Sequence, residues 1–226
     1  MVSPMEVTLI STRHDNIGKC NSSELCQLLE QIRPEVIFEE KPPSNFDAYY
    51  LEKTRTSLET QAIISYIASY NANHILVDSE NLPSQSFFRE HENVYKRIEG
   101  LADINGFNYR NAVDCNKHFA ATHGFNYLNS DHCVTYNERI REAIDLALKK
   151  LNHERFFQIE NEWRMINDRR ENEMLENIYK YSNADNYKSG VFLLGAAHRK
   201  SIIKKIENCE DRDDPKLNWC ILSFDS

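Results

Sequence analysis

Nothing in this 226-residue sequence resembles a membrane span, because its apolar runs are short. No two of its six cysteines (Cys20, Cys26, Cys115, Cys133, Cys209 and Cys220) stand at CxxC spacing, and none lies at zinc-finger spacing from a histidine. A structural zinc is therefore not expected. Positive charge is also scarce. The formal net charge is −8, which argues against a nucleic-acid partner or an anionic membrane held by charge alone. No basic segment followed by an apolar stretch opens the chain, so no signal peptide is expected, and the dispersed cysteines read as reduced thiols of a cytoplasmic protein. Ile17-Gly18-Lys19-Cys20 lacks the leading glycine and the hydroxyl residue of a phosphate loop. What is present, 41% hydrophobic and 11% aromatic residues, is enough to build the core of one globular domain.

The first third of the chain alternates strands and helices. Glu6 to Thr12 reads as a strand. Asn21 and Glu24 form a capping pattern for a helix that runs to Ile32 and is stopped by Pro34. Glu35 to Glu39 is a second strand. Thr56 and Glu59 repeat the capping pattern before a helix over 60–70, and His74 to Asp78 is a third strand. Strands joined by helices in this way build a largely parallel sheet flanked by helices, an α/β fold. Residues 83–134 show little periodicity and are expected to form short helices and loops. Helices follow over Thr135–Lys150 and Glu154–Tyr181. The chain closes with a strand over 189–197, a helix over Arg199–Asn208, a solvated turn near 210 and a last strand over 217–224. The expected organisation is a single domain, its core at 5–82 and 183–226 and its helical insertion at 83–182.

Chemistry-bearing residues gather where apolar strands stop. His14 follows the first strand, Glu39 and Glu40 the second, Asp78 the third. His198 follows Leu193-Leu194-Gly195-Ala196-Ala197. In an open parallel sheet, ligands collect at these carboxyl ends. Alternation sends Glu39 and Glu40 to opposite sides, so only one of them faces a site there. The long helix repeats Trp163, Ile166, Arg170, Met174, Asn177 and Tyr181 on one face. An arginine on a buried stripe needs an anion, either a strand-end carboxylate or a bound group. Asp131 and His132, in the segment Ser130 to Cys133, are further candidates to touch substrate. Cys133 itself reads as an inert thiol.

Two imidazoles and a carboxylate, from His14, His198 and Glu40, suffice to hold a divalent metal such as manganese, cobalt or zinc with a position left for water. Alternatively, a histidine or the glutamate activates water directly and Arg170 stabilises the developing oxyanion.

In order and spacing these segments resemble the TraB, TIKI, ChaN-like and erythromycin-esterase superfamily. Ser11-Thr12-Arg13-His14 stands where that group has Gly-x-x-His, with Ser11 in place of the glycine. Pro34-Glu35-Val36-Ile37-Phe38-Glu39-Glu40 matches its glutamate strand, with Glu40 as the favoured equivalent. Arg170, Glu171, Met174 and Asn177 match its arginine helix, and Gly195-Ala196-Ala197-His198 matches the second histidine motif. The resemblance covers residues 6–40 and 165–205. It implies a site made by both histidine motifs, the glutamate and the arginine. The expected function is hydrolysis of an ester or peptide bond in a small-molecule or peptide substrate. Binding of haem or a peptide in the same cleft, without turnover, is the alternative.

Overall fold

A computed structural model gives the structure of the protein and describes residues 5–209 and 217–224. In chain order, β1 (Met5–Thr12) leads to α1 (Ser22–Ile32) and β2 (Val36–Glu39). A 3-10 turn (Pro43–Asn45) and a single π turn (Asp47–Leu51) then precede α2 (Leu58–Ser69) and β3 (Asn73–Leu76). Five helices follow, α3 (Gln85–Glu99), α4 (Ile104–His123), α5 (Phe125–Leu128), α6 (Asp131–Leu151) and α7 (Glu154–Ala184). The chain returns as β4 (Ser189–Gly195), a 3-10 turn (Ala196–His198), α8 (Arg199–Cys209) and β5 (Leu217–Ile221). The solvated turn expected near 210 lies outside the described residues.

The five strands are ordered β3-β2-β4-β1-β5, and every pairing is parallel. Both faces of the sheet are covered, so its central strands are apolar on both sides. Ile10, Ile37, Val191 and Leu193 pack with Leu25 and Leu29 of α1 and with Leu58 and Ile63 of α2. The alternate residues Val7, Leu9, Phe38, Phe192 and Leu194 meet Met174, Leu175 and Ile178 of α7 and Ile202 and Ile206 of α8. The chain leaves β1 for β2 by passing over β4, and leaves β4 for β5 by passing over β1. The two central strands therefore send their crossovers in opposite directions, which opens a crevice beyond their carboxyl ends.

Local chemistry sets the helix starts. The Asn21 side chain caps α1 by accepting from the Glu24 N–H at 3.1 Å. For α2 the cap is Ser57, one residue after the expected Thr56. Ser57 Oγ accepts from the Thr60 N–H at 3.2 Å, while Thr56 Oγ1 accepts from the Gln61 side chain.

The segment expected as short helices and loops is instead mostly long helix. α3 buries only Phe87, Val94 and Ile98, and α4 buries only Gly106, Ala112 and Ala120. α4 buries only small residues and carries no stripe that reveals a helix in sequence, whereas Phe87, Val94 and Ile98 stand on one face of α3, a stripe the sequence reading did not count. Ser130 caps α6, four residues ahead of the expected start. The insertion has a core of its own, built from Phe87, Val94 and Ile98 with Ile144, Ala147 and Leu148 of α6 and Ile159 and Ile166 of α7. Helix α7 thus serves two cores, the insertion's with its first half and the sheet's with its second. Arg170 and Glu171 sit at the junction. Among the described residues, no helix is long and apolar enough to cross a membrane.

Candidate active site

The β1 lip of the crevice is built first. As the chain leaves β1, Thr12 Oγ1 donates to Glu59 Oε1 at 2.7 Å, and His14 Nδ1 lies 3.3 Å from the same oxygen. Glu59 comes from the first turn of α2, and the Leu58 N–H donates to the His14 carbonyl at 2.9 Å, which ties this helix start to the loop. The His14 side chain is 63% exposed and that of Glu59 only 3%. The hydrogen bond to Glu59 raises the His14 pKa above 6.5 against the lowering effect of burial. Burial pushes the Glu59 carboxyl up, but the bond and charge of His14, with help from Lys41 and Thr12, outweigh it and bring it down to about 2.

The β4 lip carries a second imidazole and carboxylate. His198 Nδ1 meets Glu171 Oε1 of α7 at 2.7 Å. A carboxylate can only accept, so Nδ1 carries the hydrogen and Nε2 is left as the working nitrogen. Glu171 is itself held, accepting from Ser201 Oγ at 2.5 Å and lying 3.1 Å from Lys205 Nζ. Burial works to lower the His198 pKa, but the Glu171 bond and the charges of Glu40 and Glu171 raise it above 6.5 overall. Burial likewise raises the Glu171 pKa, and His198, Ser201 and Lys205 more than reverse this.

Between the lips stands Glu40, whose two oxygens are both engaged. Oε2 accepts from the Gly195 N–H at 2.6 Å, and Oε1 accepts from Arg170 Nη2 at 2.9 Å and lies 3.4 Å from His198 Nε2. A Cβ on Gly195 would sit 3.2 Å from Glu40 Oε2, so the close approach favours glycine here. Arg170 also donates from Nε and Nη2 to both oxygens of Asp78, at 3.0 and 2.8 Å, and from Nη1 to Asn167 at 3.0 Å. The carboxylates that an arginine on this stripe required are Glu40 and Asp78. Four of its five N–H groups are thus committed, and Arg170 orients Glu40 with one Nη1 hydrogen left over.

The lips enclose a cleft of about 330 Å³ lined by Thr12, Arg13, His14, Cys133, Asn137 and His198, among others. The structure brings His14, Glu40 and His198 to this cleft and places Arg170 and Asp78 directly behind it. It turns Glu39 to the other side of the sheet, where that side chain accepts from Tyr50 at 2.6 Å, meets His74 at 3.0 Å and pairs with Lys41. Asn177 is placed as a clamp, donating to the Val77 carbonyl beyond β3 at 2.9 Å. Asp131 is exposed at the start of α6, and His132 packs against Phe119, Tyr127 and Tyr136 along a separate concavity. Cys133 does line the cleft, but burial pushes its thiol up to about 11, which leaves it a poor nucleophile.

Ser11 faces away from the cleft. Its Oγ accepts from Arg199 Nη1 at 3.1 Å, and the Asn129 side chain brackets its backbone with bonds of 2.7 and 3.1 Å. A hydroxyl where the resembled superfamily has glycine thus serves a buried arginine.

Glu40, the carboxylate of the candidate metal set, is committed to Arg170 and Gly195, and among the described residues no three His, Cys, Asp or Glu side chains group to hold an ion as arranged. The bonds of His14 Nδ1 and His198 Nδ1 to carboxylates leave each Nε2 open, as in metal-ligating histidines.

Glu59 and Glu171 had no site role in the sequence reading, which took Glu59 as a capping residue and Glu171 as one position of the arginine-helix match. Glu171 had a signal, since it lies three and seven residues before Met174 and Ile178 on the buried face of α7. Comparison of the chain with family models, curated proteins and solved structures finds no match.

Proposed function

We propose that the protein is a hydrolase of ester or peptide bonds, of the kind the TraB, TIKI, ChaN-like and erythromycin-esterase resemblance implies, acting through water and two histidines. The observation that carries this reading is the pair of imidazole–carboxylate dyads on opposite lips of one cleft at the switch point of the sheet. His198, held through Nδ1 by Glu171, offers Nε2 to a water molecule and takes its proton as the water attacks the carbonyl carbon. Glu171 stabilises the imidazolium that forms, in the way the carboxylate of a catalytic triad does. The Ala197 N–H, in the first turn after β4 along the cleft wall, would be the donor to the developing oxyanion. His14, the more exposed imidazole, protonates the leaving group and is restored by solvent. Glu40 is a positioning residue that fixes the Gly195 turn and keeps His198 Nε2 in place.

The test is a panel of 4-nitrophenyl esters and fluorogenic peptides assayed with the parent protein and with His198→Gln, His14→Gln and Glu171→Gln. The reading predicts turnover that drops by roughly 10²–10⁴-fold in His198→Gln, the usual size of a general acid–base contribution. Turnover unchanged by His198→Gln would overturn it. No turnover across the panel, together with retained ligand binding, would point to a binding protein.

A further inference from the structure

Two arginines stand close to this cleft, and their surroundings differ. Arg170 has four of its five N–H groups engaged by Asp78, Glu40 and Asn167. Arg13, immediately before His14, lines the cleft with little to neutralise it. Its acidic neighbour is Asp15, 3.9 Å away and 85% exposed, and such a pair is weak in water. Its Nε is buried and has no hydrogen-bond partner. A guanidinium is the side chain best shaped to grip a carboxylate or phosphate through two parallel hydrogen bonds. Asp15 and Glu40 also line the wall, Asp15 reaching into solvent and Glu40 tied to Arg170, and the other liners include Thr12, Asn116, Asn137 and the small residues 195–197.

We infer that Arg13 is the specificity-determining residue of the cleft and that the substrate carries a carboxylate or phosphate group which Arg13 binds beside the bond to be cleaved. The second half of this statement rests on the hydrolase reading; the anion preference itself does not. Arg13 is better placed for an anion than Arg170, whose single charge already meets two carboxylates. A neutral ester or amide lacking such a group would be held only by the modest apolar and amide lining of the cleft.

Binding tests this without need of a substrate. Phenylacetate, phenyl phosphate and the neutral phenylacetamide would be titrated at pH 7 into the parent, Arg13→Gln and Arg13→Lys, following arginine side-chain and backbone amide NMR signals. One charge-assisted contact predicts that at least one anion binds about tenfold or more tightly than phenylacetamide to the parent. Arg13→Gln should erase that preference with an unchanged thermal midpoint, and Arg13→Lys should restore part of it. The preferred anion identifies the group. Equal binding of anions and amide, no binding of any probe, or a preference that survives Arg13→Gln would each overturn the inference. Failure of the hydrolase reading has a separate signature, since anion binding dependent on Arg13 would then persist without turnover of any ester or peptide.

Discussion

Replacing Arg170 by methionine isolates the ion cluster behind the cleft. The methionine keeps the apolar stem that α7 packs against the sheet edge but removes the charge. Arg170 is 12% exposed and its partners are more buried still, Glu40 at 7% and Asp78 at 3%. Loss of the guanidinium leaves two carboxylates in a confined space with three charge-assisted bonds gone. Breaking a buried pair on one side typically costs about 3–5 kcal/mol. For a chain of this length that corresponds to a fall of about 6–11 °C in Tm, taking the usual unfolding entropy per residue. Urea unfolding followed by circular dichroism at pH 7 would give the free energy, with an unchanged m-value showing that the native state kept its compactness. The triple variant Arg170→Met, Glu40→Gln, Asp78→Asn removes the stranded charges as well and should be more stable than Arg170→Met alone. A loss below about 1 kcal/mol in the single variant, the level of a surface pair, would refute the assignment of Arg170 as the buried tie between α7 and the strand ends.

Three further outcomes follow. Gly195→Ala should push Glu40 Oε2 away from its 3.2 Å approach, weaken the bond to residue 195 and lower turnover more than stability, as read by kcat beside Tm. The Glu59 carboxyl is held near pH 2 in the folded protein against an ordinary value of 4.5, so its contribution is present above about pH 4.5 and disappears as pH falls toward 2. The histidine pKa values are raised, so the dyads contribute fully below pH 6.5 and fade as pH climbs through the raised values. Urea midpoints measured from pH 2 to 9 should thus fall on both sides, with the acid limb flattened in Glu59→Gln. Elemental analysis of protein purified without a histidine tag should find no stoichiometric manganese, cobalt or zinc. Metal at one equivalent, lost in both His14→Ala and His198→Ala, would instead require the cleft to rearrange around an ion.

How much of this was legible in sequence depended on how each residue is buried. The strands and the parallel sheet were readable because β1, β2 and β4 are runs of apolar residues bounded by Pro34, Gly195 and capped helices. Arg170 was readable because a charge on a buried helical face demands a partner, and Glu40 and Asp78 were already placed at strand ends. Arg170 was expected to meet either a strand-end carboxylate or a bound group, and it meets the carboxylates of Glu40 and Asp78. Glu59 was hidden by its position in a helix first turn, where an acidic residue is ordinarily an exposed partner of the helix dipole. Glu171 stood in the arginine-helix match, but the buried face was counted through 163, 166, 170, 174 and 177, which left its own burial unread. Helix α4 escaped because its buried residues are glycine and alanine, and α3 because its stripe of Phe87, Val94 and Ile98 is set among charged and polar residues. Asp131 and His132 were candidates through the segment Ser130 to Cys133; Asp131 is exposed at the start of α6 and His132 lines a separate concavity, while Cys133 lines the cleft.

The central claim is that two histidines, each held by its own buried carboxylate, face one cleft as acid and base. Histidine NMR titration of the parent, Glu171→Gln and Glu59→Gln tests it most directly. The account predicts that His14 and His198 both titrate above 6.5 in the parent, that Glu171→Gln brings down His198 and leaves His14 nearly in place, and that Glu59→Gln does the reverse. Histidines that titrate at 6.5 or below in the parent, or a His198 indifferent to Glu171→Gln, would contradict it.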